Sequence, residues 1–206
     1  MLSRLNGAGY LSAIEISTPA SEPVTLAEFK AHARISGTSE DSDLTVKLLA
    51  ARLRVEDLIS SPLITRSFRL RLDSFPVALN AIILPHYPVS AVSLVEYFYN
   101  ATWNTLANTA YTLDSDSSPS RVMLAYSATW PSVDTGAVNL SPGVRVTYAA
   151  GWANAAAVPS TLKMAVLMLA TYWYANRETA DVLNLTEVPQ ACDMLCASYK
   201  RTRWLI

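Results

Sequence analysis

The stretch from Pro159 to Glu178 limits most severely what this chain can become. Leu162, Ala165, Val166, Leu169, Tyr172, Trp173 and Asn176 recur at the three- and four-residue steps of one helical face. Met164, Leu167, Met168 and Tyr174 make most of the opposite face apolar as well. A helix of this length spans roughly 30 Å, the width of a small domain, so other elements must cover it on more than one side. Either one copy of the chain wraps it, or a neighbouring copy supplies part of the cover. A membrane span is excluded on length. The uncharged run from Met164 to Asn176 falls short of the roughly 20 residues a bilayer requires, and Lys163 and Arg177 close it at both ends.

Composition points the same way. With 206 residues the chain can build one sizeable core, or a core with an inserted subdomain. Hydrophobic residues make up 51% and charged residues only 16%, which favours obligate assembly over a soluble monomer. The 16 basic and 17 acidic side chains are spread along the sequence for a net charge of −1. Tight nucleic-acid binding needs clustered Lys and Arg to neutralise phosphates and is therefore not expected, although weak or transient contact with DNA stays open. Met1 to Ile16 holds Arg4, Asn6, Gly7, Gly9 and Glu15, so no continuous apolar core of signal-peptide type is expected there.

Taken in order, residues 1–22 read as an N-terminal arm, rich in Gly, Ser and Thr. Helices follow over 23–62. Thr25 and Glu28 have capping-box spacing, and the stripe Leu26, Phe29 and Ala33 predicts a helix of about three turns ending near Gly37. Ser39-Glu40-Asp41-Ser42-Asp43 opens a second helix with carboxylates where the helix dipole favours them. Leu44, Leu48, Ala51, Val55 and Leu58 form its seam, and Val46, Leu49 and Leu53 form a second stripe on the far side. Two stripes require two partners, one the long helix and the other a neighbouring subunit. Lys47, Arg52, Arg54, Glu56 and Asp57, between the stripes, read as a solvated surface.

At Ser60-Ser61-Pro62 the period changes from helical to twofold. Phe68, Leu70 and Leu72 alternate with Arg69, Arg71 and Asp73, the pattern of a half-buried strand with one wet face. Five more strands are expected at Ala81–Leu84, Val92–Tyr99, Thr109–Leu113, Arg121–Leu124 and Val144–Tyr148, with prolines punctuating the gaps. The fold class is therefore α+β. A bundle of about four helices carries an inserted, mainly antiparallel β subdomain over 66–150, and 158–206 completes the bundle with the long helix, a C-terminal helix and a tail. The last helix starts at Val188-Pro189 and bears Cys192, Leu195, Cys196 and Tyr199. The two cysteines supply only two of the four ligands of a tetrahedral zinc site, and the chain's two histidines lie far from them in sequence, so reduced, half-buried thiols are expected. The tail, Lys200-Arg201-Thr202-Arg203-Trp204-Leu205-Ile206, ends three cations with three large apolar residues. Such an end folds onto its own core or is held by a partner.

No catalytic constellation is legible. Phosphate loop, His-Glu-x-x-His, nucleophile elbow and dinucleotide fingerprint are all missing from the sequence. His32 and His86 read as surface or loop residues, since neither has a second ligand at suitable spacing. Asp114-Ser115-Asp116 lacks the glycine and bidentate glutamate of a calcium loop and reads as a turn. The aromatics Tyr97, Phe98, Tyr99, Trp103, Tyr126, Trp130, Tyr148 and Trp152 are assigned to core packing and subunit contacts. No cofactor, metal or enzymatic activity is expected.

Five segments in order resemble one family. They are Pro23-Val-Thr-Leu-Ala-Glu-Phe-Lys-Ala-His-Ala-Arg34, the acidic helix start at 40–43, Tyr126 to Trp130-Pro131, Val144-Arg-Val-Thr-Tyr-Ala-Ala-Gly151-Trp, and Val158-Pro-Ser-Thr-Leu-Lys to Trp173-Tyr-Ala-Asn-Arg-Glu178. Together they are similar to the head-tail connector, or adaptor, proteins of tailed double-stranded DNA bacteriophages and related gene-transfer particles. The resemblance spans residues 23–204, with Ala33 standing where the family pattern typically has Leu. It implies a non-enzymatic subunit of a homo-oligomeric, dodecameric ring in the virion neck, assembled in the host cytoplasm. The ring docks beneath the portal, extends the channel through which double-stranded DNA passes, and meets a stopper or tail-completion protein on its far side. It further implies that the helices build the ring, that the β part faces outward or toward tail components, and that some relatives stay monomeric until a portal is present. On that basis Lys200, Arg201, Arg203, Trp204, Leu205 and Ile206 form a portal-docking tail. Val46, Leu49, Leu53, Met164, Leu167, Met168 and Tyr174 are the subunit-interface candidates. Two other classes compete: an α+β binding module with a pocket among the aromatics, and an enzyme combining scattered residues such as Asp73, Glu96 and His86.

Overall fold

The computed structural model describes residues 10–76, 80–134, 143–176 and 190–200. Among these residues lie four α-helices and two antiparallel sheets, the α+β class expected. The chain forms two compact units, one helical, from Ala20–Ile64 and the described part of Trp152–Thr202, and one β, centred on Thr65–Gly151.

In the helical unit, α1 (Leu26–Ala33) starts as its spacing predicts. Glu28 N–H donates to Thr25 Oγ1 at 3.1 Å and Thr25 N–H donates to Glu28 Oε2 at 2.6 Å, so two otherwise unpaired donors are satisfied reciprocally. The backbone and hydroxyl of Thr25 hold the Glu28 carboxyl below its ordinary pKa, because both bonds favour the charged form. The helix is shorter than expected. Arg34 adopts the left-handed conformation at φ 55°, and Ile35 N–H closes back on Lys30 O at 2.9 Å, ending α1 ahead of Gly37. Helix α2 (Asp41–Ile59) buries Leu44, Leu48, Ala51 and Val55 of the expected seam. Ser60, also left-handed, terminates it.

Helix α3 (Ser160–Ala175) packs against α1, α2 and α4 (Gln190–Cys196), burying Leu162, Ala165, Val166, Leu169 and Ala170. Full burial of each large side chain contributes about 1.5–3 kcal/mol. Cys192 and Cys196 lie deeper than the half-buried position expected. Both are free thiols with no exposure, and Cys192 Sγ donates to Ala165 O at 3.8 Å.

Arg52 and Glu56 correct the expectation of a solvated surface, for both are buried. Arg52 Nη1 pairs with Glu56 Oε2 at 2.8 Å and Arg52 Nε with Glu22 Oε2 at 2.8 Å, while Leu63 N–H donates to Glu56 Oε1 at 2.8 Å. The network ties the segment before α1 and the segment after α2 to the same helix. Charges can be held here because each finds an opposite charge or an amide.

The β unit has two layers. Its five-stranded sheet runs β1 (Tyr10–Glu15), β2 (Arg66–Leu72), β8 (Val144–Ala150), β4 (Val89–Tyr99) and β5 (Thr102–Thr105). Its three-stranded sheet runs β3 (Ala81–Ile83), β7 (Arg121–Leu124) and β6 (Tyr111–Asp114). Phe68, Leu70, Leu72, Val95, Val144, Val146 and Tyr148 of the first sheet share a core with Ile82, Leu84 and Val122 at the second. Strict alternation of buried and half-buried residues along β2 and β8 matches the expected twofold pattern.

Part of the segment expected to be an arm is a strand. β1 pairs antiparallel with β2, Ile16 N–H donates to Ser67 O at 2.9 Å, and Ser67 N–H donates to Ser17 Oγ at 2.8 Å. Without β1 this edge of β2 would leave its backbone groups unpaired. Gly143, entering β8, has a different constraint. A Cβ there would lie 2.2 Å from the Asp73 carbonyl oxygen, so no other residue fits without backbone movement.

His86 lies in the Pro85–Pro88 loop, as expected, but is half-buried there. Its ring lies 4.0 Å from that of Phe68, and Nδ1 is 2.6 Å from the Tyr148 hydroxyl. Burial, with a smaller contribution from Arg66, lowers its pKa to about 4. Asp114 makes the turn expected of it, accepting from Ser117 N–H at 3.1 Å and from Arg121 Nε at 2.9 Å.

Two outcomes follow from these buried groups. Glu56→Ala strands Arg52 beside Glu22 alone and should lower stability by about 3 kcal/mol in urea unfolding, whereas the double substitution Arg52→Met with Glu56→Leu should recover most of it. His86 is neutral in the folded chain above pH 4 but protonated in the unfolded chain below pH 6.5, so its contribution is complete above 6.5 and is lost as pH falls toward 4. Between pH 7.5 and 5.0 the wild type should lose about 2 kcal/mol more stability than His86→Gln, measured by urea unfolding at both pH values.

Candidate functional site

The surface with most to explain is the far side of α2. Val46, Leu49 and Leu53 are 65%, 41% and 50% exposed, at the i, i+3, i+7 spacing of one helical stripe, opposite the buried seam. Met164 of α3 is 41% exposed. Covering side chains of this size yields on the order of 1 kcal/mol each beyond what the protomer already provides.

The other interface candidates divide differently. Leu167 and Tyr174 are half-buried against the helical unit's own core, and Tyr174 Oη donates to Glu40 Oε2 at 2.7 Å, fastening α3 to the start of α2. Their apolar surface is thus largely used within one copy. Met168 is half-buried. Sequence reasoning missed Met194, which is 77% exposed on α4. Its place between Cys192 and Cys196, off their buried stripe, is the signal that would have found it.

Of the tail candidates only Lys200 is among the described residues. Its Nζ lies 3.3 Å from Asp193 Oδ1, and its N–H donates to Cys196 O at 3.0 Å. Arg201, Arg203, Trp204, Leu205 and Ile206 lie outside the described residues.

Most aromatics serve packing. Phe75 stacks on Trp130 at 4.6 Å, Phe98 meets Trp103 at 5.4 Å, and Trp152 meets Tyr199 edge-on at 6.2 Å. Tyr126, by contrast, is fully exposed.

The scattered residues Asp73, Glu96 and His86 do not converge. Glu96 stands opposite Arg145 on the half-exposed face of the five-stranded sheet, whereas the His86 ring lies against Phe68 and Tyr148 on its core face. No group of three or more His, Cys, Asp or Glu that could hold a metal occurs among the described residues, and none of their helices is long and apolar enough to cross a membrane.

No protein-family model and no curated protein matches the chain. Solved structures do. A chain from the neck of an empty gene transfer agent particle, computed with C6 symmetry, is 25% identical with a TM-score of 0.75, and the match covers 93% of this chain and 96% of that one. A chain from the virion of a native gene transfer agent particle has 25% identity and a TM-score of 0.74 over the same shares. A third, from the neck of the native particle computed with C12 symmetry, shares the fold at 24% identity and a TM-score of 0.68, covering 90% of this chain and 94% of that one. Over nearly its whole length, then, this chain is similar to structural chains of the gene transfer agent neck and virion.

Proposed function

We propose that the chain is a non-enzymatic structural subunit of a virion neck, a head-tail adaptor that closes into a homo-oligomeric ring beneath the portal. The observation that carries this reading is the match to a neck chain over 93% of the sequence at a TM-score of 0.75. Neck particles of sixfold and twelvefold symmetry favour a ring of twelve copies, as the family resemblance also implies. In such a ring each copy makes a head-to-tail contact with the next, using two different patches of its surface. The exposed stripe Val46, Leu49 and Leu53, with Met164 and the half-buried Met168, is the apolar material for one of those patches.

Portal protein on one side and a stopper or tail-completion protein on the other are the partners of this reading. Double-stranded DNA would pass through the lumen without sequence-specific contacts, in keeping with a net charge of −1. Lys200, Arg201, Arg203, Trp204, Leu205 and Ile206 form the portal-docking tail, cations and large apolar side chains together.

Electron microscopy of the purified chain mixed with its portal tests the reading, and rings on portals are expected. Leu49→Glu with Leu53→Glu should change unfolding stability by less than about 0.5 kcal/mol each, because both side chains already face solvent, yet abolish ring closure. Removing Arg203 to Ile206 should leave the fold intact and prevent docking. A wild-type chain that stays monomeric in the mixture, or a truncated chain that docks normally, refutes the adaptor reading or the anchor respectively.

A further inference from the structure

The two faces of the five-stranded sheet differ in kind. Strand β2 meets β8 so that Arg71 lies directly opposite Arg145 and Arg69 opposite Thr147, with Glu96 of β4 on the other side of Arg145. Alternation places all of them on the face turned away from the Phe68, Leu70 and Leu72 core. Like charges directly opposite each other destabilise an antiparallel pair, so Arg71 and Arg145 are maintained at a cost to the fold. Burial pushes the Arg145 pKa down, Glu96 offsets part of that, and Arg69 and Arg71 add to the fall.

Three polar atoms of this face also lack a partner. Arg69 Nε, Arg71 Nε and Thr147 Oγ1 are shielded from water and have no hydrogen-bond partner among the described residues. Unlike Arg52 Nε and Arg66 Nε, which lie beside Glu22 and Glu15, these three atoms sit beside a like-charge pair and can take an acceptor from outside these residues. We propose that this face, centred on Arg69, Arg71 and Arg145, docks an extended carboxylate-bearing segment of another protein.

The chemistry favours that occupant. A guanidinium fork matches a carboxylate with two parallel hydrogen bonds, and the paired strands hold the arginines at the spacing of a sheet. Trp103 lies under Arg145, with Cζ 3.6 Å from its ring centroid, and Phe98 packs beside that ring. Arginine and tryptophan together are the residues in which interface hot spots are enriched. A nucleic-acid footprint has a different character, a broad basic patch in a basic domain. Here Glu96 sits inside the patch and the chain has a pI of 6.1. The inference stands whether or not the chain closes a ring.

Fluorescence anisotropy of the full chain with a labelled short poly-glutamate peptide, and separately with a short DNA duplex, tests it. The peptide should bind in a salt-sensitive manner, Arg71→Gln and Arg145→Gln should each weaken it about tenfold or more, and Lys47→Gln on α2 should not. Arg71→Gln should unfold at the same or a higher temperature than the wild type, since it relieves a repulsion. Three results overturn the proposal: no peptide binding, or binding that the two variants leave unchanged; duplex bound more tightly than peptide and lost in the same variants; or a marked fall in the unfolding midpoint of Arg71→Gln, which makes the arginine structural.

Discussion

Helix α3 carries more apolar surface than one face, and the helical unit is arranged to remove it from water. Leu162, Ala165, Val166, Leu169 and Ala170 are buried with the seam of α2, Phe29 of α1 and the two thiols of α4. Tyr174 adds a polar fastening to Glu40, so even the half-buried side of α3 is partly used inside the protomer. What remains uncovered is specific: Met164 on α3 and the stripe Val46, Leu49 and Leu53 on α2. Exposed apolar surface of this size on two helices is what the proposed ring contact would cover.

Charge is placed by different rules in the two units. In the helical unit Arg52 is enclosed by Glu22 and Glu56, and the remaining Glu56 oxygen takes the Leu63 amide, so each of these charges lies beside an opposite one. Desolvation then costs little net energy, and the network fixes where the chain enters and leaves the helices. In the β unit the arginines of β2 and β8 face each other with a single glutamate nearby and with three buried polar atoms lacking a partner among the described residues. The contrast between a closed network and an open one separates groups that serve folding from groups that await a partner.

Periodicity made much of the fold legible. The three- and four-residue steps of α2 and α3, the Thr25–Glu28 cap and the alternation from Phe68 to Leu72 each reflect a local rule, and each element formed where the rule placed it. Local rules failed where the deciding partner was distant. β1 exists because β2 has an edge to pair, and His86 is sheltered because Phe68 and Tyr148 surround it. The interface candidates show the same limit. A helical wheel marks Leu167 and Leu49 alike as off-seam residues, yet the first packs on its own core and the second faces solvent.

From the sequence alone came the α+β class, an over-apolar helical part and a resemblance to adaptor proteins, because composition and residue spacing are properties of the chain itself. Tertiary structure decided which apolar residues stay exposed, that Arg52 and Glu56 turn inward, and that Arg69, Arg71 and Arg145 form one face. The physical reason is strand register. In the sequence the 16 cations look evenly scattered; alternation along β2 sets Arg69 and Arg71 on one face, and only the hydrogen bonds between β2 and β8, distant along the chain, set Arg145 beside them.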